Sequence, residues 1–264
     1  MDLSFQAADP AGNITLLVTT PVPPQDYPAV AARLLSIREL DAEQVGFLVP
    51  PQGEGALRLE MMGGEFCGNA LRCAGFYYAL QTGRRREGRF PIEISGCAEA
   101  LSVQVNPLTS QVSVQMPLPE QVEACTFLDA PARAVRLPGI VHAVSFLPPT
   151  REEADLRAAL SALAQAHGVP AAGVMFWDRQ DSRLTPAVYV QGTDSLYFER
   201  SCASGSTAVA ACHALSAQRD GRSQLTLHQP GGEIHTSAVL RGGRLTQLTI
   251  GGPVYMGPVY HLQF

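Results

Sequence analysis

Two stretches decide how this chain is read: EFCGNALRCAGF, residues Glu65–Phe76, and ERSCASGSTAVA, residues Glu199–Ala210. Each sets a cysteine, Cys67 or Cys202, before a run of Gly, Ala, Ser or Asn, and each then opens into a helix-like apolar stretch. A helix N-terminus carries unpaired N–H groups and about half a positive charge. A cysteine there has its thiolate favoured, with pKa values falling from ~8.5 toward roughly 3.5–7.5. The small neighbours, Gly68 and Asn69 or Ala203 and Ser204, leave the backbone donors open to a ligand carboxylate. Two such heads facing one small anionic molecule suit proton removal from one face of a carbon and proton return to the other.

The flanking segments place these heads in two similar halves. ITLLVTT (Ile14–Thr20), VGFLVP, ALRLEMM, PIEISG, LSVQV and VSVQMPLP read as short strands. YPAVAARLLSIREL (Tyr27–Leu40) has helical spacing, and the helix after Cys67 should run to about Thr82. MPLPEQVEACTFLDAPAR is rich in Pro and turn residues, and a domain boundary is expected there. Beyond it VHAVSFLP, GVMFW, PAVYVQG, QLTLHQP, EIHTSAVL and LTQLTI are strand-like. TREEADLRAALSALAQAHG is a helix, with Thr150 and Glu153 as an expected capping box and Gly168 just past its end. The fold class expected is α+β. It comprises two pseudo-symmetric domains, each a mostly antiparallel sheet wrapped around a central helix, over residues 1–118 with a returning strand 254–264, and 119–253.

Composition narrows the function. The chain has 264 residues, 46% of them hydrophobic and 16% charged, so a sizeable core is available. Its net charge of −5 argues against a nucleic-acid partner. No apolar run reaches the length of a membrane span, and the N-terminus lacks signal-peptide features, so a cytoplasmic location is expected. All 19 basic residues are arginine. Without a lysine amine, pyridoxal phosphate cannot be held as an internal aldimine. The six cysteines are too sparse for a disulfide scaffold and show no CxxC pair, so no metal or cofactor is expected. Cys73, Cys97, Cys125 and Cys212 read as small buried hydrophobes. His142, His228 and His213 read as packing histidines in strands or a helix. GRRREGR reads as a solvated loop.

FCGNALRC and SCASGSTA resemble the two cysteine motifs of diaminopimelate epimerase and its relatives, the cofactor-independent amino-acid racemases and epimerases. AGNITLLV and QPGGEI are similar to further segments of that family, so the resemblance covers most of the chain. It implies an active site in a cleft between two halves, where one cysteine acts as thiolate base and the other as thiol acid. On this reading Cys67 and Cys202 are catalytic. Gly68, Asn69, Ala203 and Ser204 hold the α-carboxylate through backbone donors, and Asn13 contacts the substrate. The C-terminal GPVYMGPVYHLQF returns as a strand to the first domain.

Departures from diaminopimelate epimerase bear on the substrate. The asparagines expected for gripping the far end of diaminopimelate are absent, Ile140 standing at one of them. Each lost partner would cost that substrate ~1–3 kcal/mol. AEQVGFL, GGEFCGNA, ISGC, VQMP, FERSC and HQPGGEI are instead similar to the histidine racemase branch that serves opine-type metallophores of the staphylopine kind. That likeness implies an acidic side chain facing an imidazole, with Glu43, Glu65 and Glu199 as candidates. Three alternatives remain open at this stage: diaminopimelate epimerase, a non-catalytic amino-acid-binding protein, and a redox sensor pairing Cys67 with Cys202. The partner expected is a small amino acid, and the sequence leaves open whether the chain forms a homodimer.

Overall fold

The computed structural model of the chain describes residues 2–150 and 152–263. Phe264, the last residue of the expected returning strand, lies outside them. In chain order the first elements are β1 (Asp2–Asp9), β2 (Thr15–Val18), α1 (Tyr27–Leu35), β3 (Gln44–Val49), β4 (Leu57–Met61) and α2 (Gly68–Gln81). Next come β5 (Gly88–Ile94), β6 (Leu101–Asn106), β7 (Gln111–Met116), β8 (Gln121–Phe127), β9 (Ala130–Leu137), β10 (Ile140–Ser145) and α3 (Glu153–His167). The remainder are β11 (Ala171–Asp178), β12 (Arg183–Val190), β13 (Ser195–Phe198), α4 (Ala203–Ala217), β14 (Gly221–Gln229), β15 (Gly232–Arg241), β16 (Arg244–Pro253) and β17 (Tyr255–Gln263). The fold is a sheet-rich α+β type. It divides into two compact units, Met1–Gln115 with Gly251–Phe264, and Met116–Ile250.

In the first unit the strands pair in the order β17, β1, β2, β3, β4, β5, β6, β7. Among these pairings of the described residues, only β2–β3 and β4–β5 are parallel. Those are the two places where a helix, α1 or α2, intervenes, because a parallel neighbour needs a crossover rather than a hairpin. α1 buries Tyr27, Val30, Ala31 and Leu34 against Phe5, Leu16, Val45 and Phe47. It ends five residues short of the expected Leu40. The Ser36 hydroxyl donates back to the Arg33 carbonyl at 2.7 Å, Ile37 is extended, and Arg38–Leu40 form a separate 3-10 turn.

α2 has no polar face. Residues Gly68 to Phe76 are all buried, so strands surround the helix on every side. Small residues make that enclosure feasible: a Cβ on Gly75 would lie 2.5 Å from Val103 Cγ1.

The second unit obeys the same rule. β10–β11 and β12–β14 are parallel and flank α3 and α4, and the remaining pairings from β8 to β15 are antiparallel. β11 is buried on both faces, which explains the unbroken apolar run GVMFW. Val174 and Phe176 join Leu156, Leu160 and Ala164 of α3, while Met175 and Trp177 join Ala208, Val209 and Cys212 of α4. α4, like α2, is buried nearly all round.

The Pro-rich segment where a domain boundary is expected begins at Met116, the first residue of the second unit, and runs into the β8–β9 hairpin. One local expectation is corrected. The Thr150–Glu153 capping box does not form, because the helix starts later: Glu153 is its first residue, Glu152 is the N-cap, and the Thr150 hydroxyl accepts the Glu152 N–H at 3.2 Å. Gly168 closes the helix in the left-handed region at φ 61, where glycine carries no Cβ penalty.

Candidate active site

At the head of α2, Cys67 is the N-cap, with φ −132 and ψ 112, and its Sγ accepts the Ala70 N–H at 3.5 Å. A thiol therefore fills the place usually taken by Ser, Thr, Asp or Asn. The loop leading to it is held from below: Ser95 Oγ donates to the Glu65 carbonyl at 2.9 Å and accepts the Met61 N–H at 2.9 Å. Gly96, at φ 72, passes so close that a Cβ would sit 2.5 Å from the Phe66 nitrogen.

An amide chain runs alongside. Asn69 Nδ2 donates to Asn13 Oδ1 at 3.1 Å, and Asn13 Nδ2 donates to Glu43 Oε2 at 2.6 Å. Gln44 Nε2 donates to Asn13 Oδ1 at 2.9 Å and to Thr15 Oγ1 at 2.8 Å. Asn69 Oδ1 accepts from Arg72 Nη1 at 3.2 Å. The ends orient both amides: a guanidinium offers only donors and a carboxylate only acceptors. Asn13 is presented by a strained turn in which Ala11 stands at φ 91 and the Asp9 carboxylate accepts the Ala11 and Gly12 N–H groups.

The structure thus gathers Asn13, Glu43, Asn69, Gly68 and Cys67 at one helix head. Glu65 is not part of this cluster. It is exposed and accepts the Gly63 N–H at 2.9 Å, closing its own glycine turn.

In the second unit Cys202 is the N-cap of α4, with φ −122 and ψ 114, and its Sγ accepts the Gly205 N–H at 3.3 Å. Its backbone is clamped at both ends. The Cys202 N–H donates to Gln229 Oε1 at 2.8 Å, Gln229 Nε2 donates to Ser206 Oγ at 3.0 Å, and Ser206 Oγ donates to the Cys202 carbonyl at 2.6 Å. The Glu199 carboxylate lies against the thiol and accepts its proton in a hydrogen bond. Burial first, then the charge and hydrogen bond of Glu199, push the thiol well above its usual range; Ser204 and the Gly205 N–H oppose this.

Ser204 Oγ is 3.5 Å from Cys202 Sγ and 2.8 Å from His142 Nε2. Burial drives His142 down to about 3, so the ring is neutral at ordinary pH. Its Nδ1 is buried with no hydrogen-bond partner among the described residues. A bare buried acceptor is tolerated better than a bare buried N–H, which places the proton on Nε2. Ser204 then accepts from His142 and directs its own hydrogen toward Cys202. Gly173 makes room for the ring, since a Cβ there would fall 2.5 Å from His142 Nδ1.

Of the residues singled out in sequence, Cys202, Ala203, Ser204 and Glu199 meet at this second head. Gln44, Arg72, His142 and Gln229 are parts that sequence reasoning missed. Gln44, His142 and Gln229 bond partners distant along the chain, and Arg72 bonds the distant Pro10, Val112 and Pro253 carbonyls besides Asn69 nearby. Burial pushes the Cys73 and Cys212 thiols up to about 12. Among the described residues no group of three or more His, Cys, Asp or Glu could hold a metal ion. No helix of the described residues is long and apolar enough to cross a membrane.

Comparison with known proteins adds relatives to this geometry. The family model described as the histidine racemase CntK N-terminal domain matches residues 2–259. The histidine racemase of Staphylococcus aureus is 26% identical over 242 residues, covering 88% of this chain and 87% of its own. That of Fusobacterium nucleatum is 30% identical over 215 residues, covering 78% and 80%. Among solved structures, one described as a predicted epimerase from Pseudomonas aeruginosa has a TM-score of 0.71 at 15% identity, with full coverage of both chains (100% and 100%). A hydroxyproline epimerase from Agrobacterium vitis has a TM-score of 0.66 at 14% identity, covering 99% of this chain and 91% of that one. At these identities the structural neighbours, which include a probable proline racemase (TM-score 0.67) and a PhzF-family phenazine biosynthesis protein (TM-score 0.70), establish the fold alone.

Proposed function

Because the chain belongs to the histidine racemase family and is an isomerase acting as an amino-acid racemase, we propose that it interconverts L- and D-histidine by a two-base mechanism. The observation that carries this reading is the repeated thiol N-cap. Two cysteines each accept a helix-head N–H from the residue three positions on, at 3.5 and 3.3 Å. One thiolate removes the α-proton, and the other thiol returns a proton to the opposite face, with the two units acting as pseudo-symmetric halves. The planar carbanion spreads its charge into the carboxylate, which the N–H groups beside Gly68, Asn69, Ala203 and Ser204 stabilise. By comparison with oxyanion holes, each preorganised donor contributes roughly 2.7–4 kcal/mol.

The structure's placement of the three candidate carboxylates supports distinct roles. Glu43 shares Asn13 with the α2 head and is the carboxylate proposed to face the imidazole. Burial, and then the charge and hydrogen bond of Glu199, hold the Cys202 thiol protonated, ready to give its proton to the substrate. The named relatives support histidine over diaminopimelate. In the pathway sense, D-histidine would feed an opine-type metallophore.

The test is incubation of the reduced protein in deuterated water with L-histidine, LL-diaminopimelate, L-proline and L-alanine in separate reactions, followed by chiral separation and mass spectrometry. Deuterated D-histidine is expected from histidine alone. Exchange confined to another amino acid would overturn the substrate, and full turnover by a Cys67→Ser or Cys202→Ser variant would overturn the two-base assignment.

A further inference from the structure

We propose that Gln44 is a positioning residue that holds the Asn13 side chain in one orientation, so that Asn13 offers the substrate a hydrogen-bond donor and never an acceptor. This deepens the histidine racemase reading above and rests on it. Gln44 opens β3 and is registered against Thr15, the first residue of β2, in the parallel pair. Its amide nitrogen has two hydrogens, and both are engaged: one with Asn13 Oδ1 at 2.9 Å, the other with Thr15 Oγ1 at 2.8 Å. Asn69 Nδ2 brings a second donor to Asn13 Oδ1 at 3.1 Å. A carbonyl oxygen has two lone pairs, so that oxygen is full.

The polarity of the arrangement follows from its ends. Arg72 is wholly enclosed and can only donate, so the Asn69 oxygen takes the side of Arg72 Nη1, at 3.2 Å, and the Asn69 nitrogen faces Asn13. Asn13 must then turn its oxygen to Asn69 and its nitrogen to the Glu43 carboxylate, an acceptor, at 2.6 Å. Gln44 meets the Asn13 oxygen and is thereby bound to donate. One hydrogen of Asn13 Nδ2 goes to Glu43, and among the described residues nothing accepts the other. Asn13 is only 7% exposed, so water does little for that hydrogen. Buried polar groups are as a rule hydrogen-bonded, and an open donor so enclosed points to a ligand.

The open N–H suits an acceptor atom, which histidine carries in its carboxylate oxygens and in its unprotonated ring nitrogen. A flipped Asn13 would set its oxygen against both that acceptor and the Glu43 carboxylate. It would also turn its N–H groups onto the donors of Gln44 and Asn69. Asn69 opposes the flip from α2, and Gln44 opposes it from β3, tying Asn13 through Thr15 to the start of the β2–β3 pair. Gln44 thus acts on the substrate through Asn13.

The experiment measures the dissociation constant of L-histidine by titration calorimetry as a function of pH. It uses the full chain carrying Cys202→Ser, which leaves the α2 head as it is. Gln44→Leu keeps the volume and removes both bonds, and affinity should fall about three- to tenfold. In Gln44→Glu the enclosed carboxyl can donate only while protonated, and burial raises its pKa above the ordinary carboxylate range. Its affinity should match that of Gln44 at the acid end and fall toward that of Gln44→Leu as the pH rises, a dependence that packing alone would not produce. Full affinity in folded Gln44→Leu overturns the proposal, and so does equal weakening of both variants at every pH. A second measurement needs no Gln44 variant: in proton–nitrogen correlation spectra, one Asn13 side-chain hydrogen should shift on binding while the one bonded to Glu43 holds. A shift with histamine, which lacks the carboxylate, assigns the ring nitrogen as the acceptor, and a shift with L-alanine, which lacks the ring, assigns the carboxylate. A bound amino acid that moves neither hydrogen overturns the proposal. Binding of a different amino acid in place of histidine overturns the substrate reading alone, because the same titrations with that amino acid still test Asn13.

Discussion

Gln229 holds Cys202 by its backbone: the side-chain oxygen accepts the Cys202 N–H at 2.8 Å while the side-chain nitrogen donates to Ser206 at 3.0 Å. The two elements concerned, the end of β14 and the head of α4, are fixed together by one amide group. Gln229→Leu keeps the volume and removes both bonds, leaving a buried N–H without a partner. Stability should fall by about 1–3 kcal/mol, read as a lowered urea midpoint. Racemisation should fall further than stability accounts for, because the thiol loses its fixed height at the helix head.

Glu199 and the Cys202 thiol provide a charge test. Glu199 raises the thiol both by its charge and by accepting its hydrogen. Glu199→Gln should therefore shift the alkylation profile of Cys202 to lower pH. It should also favour the direction of racemisation in which Cys202 is the base, because its thiolate forms more readily. An unshifted profile would remove Glu199 from the proton path.

His142 makes stability depend on pH. Its folded value is depressed to about 3, whereas the unfolded chain titrates near 6.5. Between those values the unfolded state binds the extra proton, so stability is full above about pH 6.5 and falls as the solution is acidified. The slope contributed is about 1.4 kcal/mol per pH unit. His142→Gln, which cannot titrate but can still reach Ser204, should flatten this limb in urea titrations run at pH 7 and pH 5.

Gly205 lies in the first turn of α4, pressed on β11. A Cβ there would lie 2.0 Å from Met175 Sδ. Gly205→Ala should cost about 1–3 kcal/mol through overpacking. Shortening the opposing side chain in the double variant Gly205→Ala with Met175→Ala should recover part of that loss. Additive losses in a double-mutant cycle would show that the two positions do not share the space.

What the sequence made legible was local. The cysteine heads of α2 and α4 are visible because a Gly, Ala, Ser or Asn run after a cysteine suits a helix start and little else. The parallel joins follow from the helices between strands. The clamp on Cys202 was not visible, since Gln229 comes 27 positions later and His142 lies 62 positions before the serine it binds. A histidine in an apolar strand has the same local pattern whether it packs or positions a hydroxyl. Glu65 shows the converse: it adjoins the motif, yet a glycine turn supplied a nearer donor. Arg72 was concealed by its own helix, because nothing in ALRCAG distinguishes an enclosed arginine from a solvated one.

β1 receives its outer neighbour from the far end of the chain, Asp2 opposite Gln263 and Asp9 opposite Tyr255. This has a consequence for biosynthesis. At ~5–20 residues per second, the strands and helices of Met116–Ile250 all leave the ribosome before β17 is made. The second unit, contiguous in sequence, can close while translation continues. The first must wait with the edge of β1 bare, a surface open to strays from neighbouring nascent chains. Birth order and folding order are thus reversed, because β17, made after the whole second unit, completes the half to which β1 belongs.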